Sequence, residues 1–147
     1  MNNKNQVIIL TAFILFVIAF HLFGYIGHYG YDDLQYAQLA IDFNNGILDL
    51  DDHFSYRTPI IIFTSVSYFL LGISDFASSL PSMLISILIL LLIYIVLKNR
   101  GYITLVTGLS LTTFSYWFLF YSDKIMPDIY VAFSVLVTLT IIYKYKY

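Results

Sequence analysis

No cysteine occurs among the 147 residues, which removes disulfides, thiol nucleophiles and thiolate-built zinc sites. The three histidines, His21, His28 and His53, lack the H-x-x-x-H spacing that would let two imidazoles share a metal. Charge is scarce: 11% of the residues carry it, against roughly a quarter in a soluble domain. Seven bases against nine acids leave a net charge of -2, so there is no basic patch for nucleic-acid phosphates, and nucleic acid is not an expected partner. What fills the chain instead is apolar, 60% hydrophobic and 19% aromatic. That composition excludes a water-soluble domain and suits an all-α polytopic membrane protein with aromatic belts at its interfaces.

A spanning helix needs about 20 apolar residues, because at about 1.5 Å each they cross roughly 30 Å of hydrocarbon. Windows free of charge predict about four transmembrane helices, near 7–25, 80–98, 101–121 and 125–144, with Pro81 placed in the first turn of the second. A fifth apolar run, 58–73, is too short for length alone to decide. Charge decides it. If that run does not cross, Lys4, Lys98, Arg100, Lys144 and Lys146 share one side and all nine Asp residues the other, as the positive-inside rule prefers. The expectation is therefore a single cell-membrane domain over 1–147, both termini cytoplasmic, with a large external loop at 26–79 holding amphipathic or interfacial helices at about 32–45 and 58–73. His-Leu-Phe-Gly-Tyr after Phe20 offers no small-x-small cleavage pattern, so the first span is expected to stay attached.

The external loop holds seven of the nine Asp residues. In its first helix Gln35, Gln38, Asp42 and Asn45 share one face, Leu34, Ala37 and Ile41 another, and Gly46 closes it. Asp32 and Asp33 stand at its start, where free N–H groups and the helix dipole favour a carboxylate; capping explains one of them but not both. Asp49, Asp51, Asp52 and His53 collect hard oxygen ligands and an imidazole, a set open to a divalent cation but also ordinary in a solvated loop. Arg57 precedes Thr58-Pro59 at the head of the interfacial run, where a guanidinium suits a lipid phosphate. Asp128, after Pro127, sits at the edge of the last span, where a carboxylate is costly unless paired, hydrated or functional. His21 and His28 read as interfacial polar residues rather than ligands.

These pieces together resemble the GT-C glycosyltransferases of the protein O-mannosyltransferase and aminoarabinose transferase type. Asp32-Asp33-Leu34-Gln35-Tyr36-Ala37-Gln38-Leu39-Ala40 is similar to their D-[DE]-x-x-Y-A-x-x-A segment, and Tyr56-Arg57-Thr58-Pro59 to their basic residue before proline. Gly72 to Ser82 resembles G-x-S-[DE]-F-A-x-R-L-P-S, with Ser79 where the family usually has Arg, and Tyr121 to Asp128 resembles its second acidic motif. The likeness corresponds to the N-terminal part of such enzymes. It implies transfer of a sugar, with inversion, from a polyprenyl-phosphate donor to a protein or lipid acceptor on the external face. No cofactor is expected, and a divalent cation is not required.

A lipid phosphate leaves without protonation, so one carboxylate base suffices, unlike the paired carboxylates of glycosidases. Asp32 is the candidate base, Asp33 and Asp128 would orient it or the acceptor, and Arg57 with Lys124 would hold the phosphate. Two other readings compete. One is a truncated or accessory membrane protein whose acidic loop binds a partner, such as the remaining helices of a split enzyme. The other is a small cation transporter, which the absence of a mid-span charge disfavours.

Overall fold

The computed structural model describes residues 3–24, 27–47 and 53–146, for Lys146 the backbone alone. Among these residues every regular element is helical: α1 (Asn3–Gly24), α2 (Gly30–Asn44), α3 (Thr58–Leu71), α4 (Asp75–Leu97), α5 (Tyr102–Thr113), α6 (Tyr116–Ser122) and α7 (Pro127–Lys146). Helices α1, α4 and α7 are long and apolar enough to cross a membrane, and α5 with α6 makes a fourth such unit bent by 60° at its break. Three of the four expected spans are thus single helices of sufficient length, and the expected third makes a fourth where the bent α5–α6 pair counts as one unit.

Helix α4 is central, packed against α1, α3, α5, α6 and α7. Leu10 and Val17 of α1, Met83, Ile89 and Leu90 of α4, Leu105 and Leu109 of α5, Phe118 of α6 and Ile129 of α7 form the main core. Two bonds fix the direction of α1 against α4. Gln6 Nε2 donates to Lys98 O at 2.8 Å near one end, and His21 Nε2 lies 3.1 Å from Ser79 Oγ near the other, so the two helices run antiparallel. By contrast α7 runs parallel to α4: Ser82 Oγ donates to Lys124 O at 2.6 Å just ahead of α7, and Arg100 lies over the Tyr143 ring, 5.3 Å from its centroid, at the far end. Close approach of α5 to α4 is set by Gly108, where any Cβ would overlap Leu97 Cδ1.

Helix α3 is 14 residues long, about 21 Å at the standard rise. Its head interacts electrostatically with Asp128 at the start of α7 through Arg57, and its tail bonds the start of α4, with Tyr68 Oη 2.7 Å from Ser78 Oγ. Both ends of α3 therefore belong to the same end of the bundle. Gly72, with φ of 78°, supplies the left-handed turn between α3 and α4. Ser74 then caps α4, accepting the Ala77 N–H at 3.2 Å.

Three expectations are corrected. Helix α4 starts at Asp75, not near Leu80, because the Ser74 cap recruits the polar Asp75–Ser79 stretch into the helix; Pro81 is thus interior. A proline there leaves the carbonyl four residues back without its helical donor. Ser67 of α3 answers this by donating its hydroxyl to Ala77 O at 2.6 Å. The third span is not straight: it breaks at Phe114–Ser115, where Thr112 Oγ1 bonds Gly108 O at 3.0 Å, a local bond that competes with the backbone ladder. Phe114 meets Phe13 and Phe16 of α1 edge-on at that corner, with centroids 6.1 and 5.1 Å apart. Finally, α2 buries Asp33, Tyr36, Ala37 and Ala40, while Leu34, expected on the apolar face, is exposed.

Candidate functional site

At the end of the bundle where α2, α3 and the α6–α7 turn meet, polar side chains form two tiers. The deeper one is a closed cluster. Lys124 is only 1% exposed, and its ammonium donates to Gly27 O at 3.1 Å, pairs with Asp123 Oδ1 at 3.1 Å and lies 5.8 Å from the Phe120 ring centroid. Asp33, fully buried, accepts the Tyr29 N–H on Oδ2 at 2.7 Å. Tyr29 is the N-cap of α2 and its side chain makes no cap bond, so Asp33, one position beyond the usual capping-box residue, reaches back one turn and satisfies the N-cap amide. Asp32 does not share that task.

Burial pushes the Asp33 carboxyl above its ordinary range, only partly offset by the Tyr29 and Ile125 amides and the nearby His28 and Lys124. Asp123 is also pushed up by burial and by the charge of Asp33, against the pull of its bond to Lys124. Two buried carboxylates thus lie in the field of one ammonium, which pairs directly with Asp123, and among the described residues Asp33 Oδ1 makes no hydrogen bond, so ionising both carboxyls here is costly.

The outer tier is accessible. Asp32 lies in the first turn of α2 and is partly exposed, while Asp128 in the first turn of α7 is exposed. Arg57, the N-cap of α3, donates Nη1 to the Tyr36 hydroxyl and lies 5.6 Å from the ring centroids of both Tyr36 and Phe54. That bond holds the guanidinium above its already high range, and the fields of Asp32 and Asp128 add to it. The Tyr36 hydroxyl is itself pushed up by burial. Asp32 and Asp128, far apart in sequence, both act electrostatically on Arg57 here without a direct ion pair to it among the described residues.

Below Arg57 an apolar groove of about 580 Å³ opens between α3, α4 and α7, walled by Pro59, Ile60, Phe63, Leu88 and Tyr130. A second apolar groove of about 450 Å³ adjoins it and shares Phe63, Ile85 and Leu88. The outer tier thus has a cation at the mouth of a hydrocarbon-lined trough, within the fields of two carboxylates.

Of the residues expected from sequence, Asp32, Arg57 and Asp128 converge in the outer tier. Asp33 sits beneath them as a capping and packing group. Lys124 faces inward, where its donors are engaged by Gly27 and Asp123. Asp49, Asp51 and Asp52 lie outside the described residues; His53 is exposed, with its ring 4.1 Å from that of Phe54. Among the described residues no group of three or more His, Asp or Glu side chains is arranged to hold a metal ion. Sequence reading missed Tyr36 and Asp123. Tyr36 stands one helical turn from both Asp32 and Asp33, a spacing that places the three on adjoining faces of α2. His21, read as interfacial, is buried against Ser79, the position at which the resemblance calls for Arg. No protein-family model, curated protein or solved structure matches the chain.

Proposed function

We propose that this chain is a membrane glycosyltransferase, or the N-terminal part of one, that moves a sugar from a polyprenyl-phosphate carrier to an acceptor on the external face. The observation that carries the reading is Arg57: a guanidinium held by Tyr36 at the mouth of an apolar groove, within the fields of Asp32 and Asp128. An amphiphile with a phosphate head and an isoprenoid tail matches that arrangement part for part.

In this mechanism the guanidinium holds the carrier phosphate and stabilises the charge that grows on it as the glycosidic bond breaks. Asp32 takes the proton from the acceptor hydroxyl or amine as the acceptor attacks the anomeric carbon from the opposite side, inverting it. Asp128, whose field also reaches Arg57, orients the acceptor. Asp33 and the Lys124–Asp123 pair position α2 and the α6–α7 turn rather than touch substrate. The acidic end of the bundle is external and the basic end, with both termini, cytoplasmic.

Photo-crosslinking with a benzophenone-tagged polyprenyl phosphate, on the chain in lipid nanodiscs, tests the carrier site. Labelling is expected on α3 and α7, and Arg57→Gln is expected to weaken it about tenfold or more, as losing a charge-assisted bond to phosphate should. Equal labelling of Arg57→Gln, or equally efficient labelling by the uncharged polyprenol, would falsify the reading.

A further inference from the structure

The opposite end of the bundle holds a second cleft. Between the last turn of α4 and the last turn of α7 a space of about 420 Å³ is lined by Ile95, Asn99, Arg100, Thr140, Tyr143 and Lys144. Arg100 comes from the turn after α4 and Lys144 from the last turn of α7, and both are exposed. Arg100 lies over the Tyr143 ring at 5.3 Å, so its position is fixed by a cation–π contact that leaves the edge of the guanidinium to donate elsewhere. At the rim of the cleft stand the guanidinium, the ammonium and the Asn99 amide, while the Thr140 hydroxyl is engaged with Leu136 O at 2.7 Å. Below it Ile95 turns the wall apolar.

Charge at this end is one-sided. No acidic residue occurs in 1–31, 76–122 or 129–147, so Lys4, Lys98, Arg100, Lys144 and Lys146 have no carboxylate nearby in sequence. Basic residues at helix C-termini complement the dipole, which accounts for cations at the ends of α4 and α7. It does not account for a cleft between them lined both by the two cations and by the aliphatic Ile95 and Val96.

We infer that this cleft binds the phosphate of one anionic glycerophospholipid of the adjacent leaflet, with the first carbons of its acyl chain against Ile95. Two cations brought together from the α4–α5 turn and the end of α7, with the Asn99 amide beside them, suit a phosphodiester, and the continuity of this polar rim with an apolar wall selects a lipid over a free ion. The bound lipid ties α7 to α4 at the end where these parallel helices leave the bundle. This site is independent of the sugar chemistry proposed at the other end.

Native mass spectrometry of the chain released from phosphatidylglycerol nanodiscs tests the inference. The wild type should retain one phosphatidylglycerol, in preference to phosphatidylcholine. Arg100→Gln with Lys144→Gln should weaken retention about tenfold, whereas Lys4→Gln with Lys98→Gln, which removes the same charge outside the cleft, should leave it unchanged. Thr140→Trp, which keeps both cations and fills the space, should also abolish retention. Equal loss in the two charge-matched pairs would mean diffuse attraction and overturn the site. So would retention by Thr140→Trp, or displacement of the lipid by millimolar inorganic phosphate.

Discussion

Asp32 and Asp33 are neighbours in sequence with different physical situations. Asp32 is partly open to water beside Arg57, and Asp33 is sealed under α2 with a raised pKa. Asp32→Asn is therefore expected to abolish sugar transfer in membranes of the complete protein while the protein accumulates normally, checked by transfer assay and immunoblot together. Normal turnover by that variant would remove Asp32 as base. Asp33→Asn makes a different prediction. A carboxyl raised in the folded state above its unfolded value costs stability when ionised, so the wild type loses stability as pH rises through that window and regains it as pH falls toward the unfolded value. Melting curves in detergent should show Asp33→Asn gaining on the wild type near pH 8 and losing that advantage toward pH 4. A pH-independent difference would mean the carboxyl does not titrate as its burial requires. Lys124→Met should be worse than either, because it strands Asp123 beside Asp33; breaking one partner of a buried pair typically costs about 3–5 kcal/mol. The adjacency of the two aspartates was legible in the sequence. Their division of labour was not, since helical periodicity treats a carboxylate as solvent-facing and cannot foresee that Tyr29 offers an amide to bury it.

At the scale of elements, apolar windows bounded by charge located α1, α4 and α7, because the hydrocarbon thickness dictates both length and composition. The same criterion misplaced the start of α4, where serine and aspartate join a helix by capping rather than by hydrophobicity. It also missed the break between α5 and α6, which depends on hydroxyl-to-backbone bonds and on Phe13 and Phe16 of another helix. The interior Pro81 gives a direct test of how α3 is joined to α4. Ser67→Ala leaves Ala77 O without its donor and should destabilise by about 1 kcal/mol, within the range for interhelical bonds in membrane proteins. In a Pro81→Ala background the restored N–H reaches the same carbonyl, so Ser67→Ala should then cost much less. A double-mutant cycle by thermal melting measures the coupling, and additive costs would show that Ser67 is not serving the proline's carbonyl.

Over the whole molecule, the two ends of the bundle differ in charge, in cleft chemistry and in what ties the helices together. The acidic end joins α2, α3 and the α6–α7 turn through buried polar bonds, and the basic end closes on Arg100 and Tyr143. This polarity was legible in the sequence because the positive-inside rule depends only on where the bases fall. The path of α3 was not fixed by the composition of its 14 residues alone and followed from its bonds. Arg57 at its head lies in the field of Asp128, and Tyr68 near its tail meets Ser78. A helix tied at both ends to one end of a bundle, and about 9 Å shorter than a bilayer's hydrocarbon, is expected to dip or lie flat. Single cysteines in this cysteine-free chain test it with a membrane-impermeant maleimide. Tyr56→Cys and Ile73→Cys, at exposed positions flanking α3, should both react from outside intact cells, and Asn99→Cys only after the inner face is opened. If α3 crossed, positions 56 and 73 would report opposite sides and position 99 would label from outside, separating the Lys98–Arg100 turn from Lys4. That outcome would place Arg57 and Asp128 on different leaflets, and the two tiers described here would have no common face to work on.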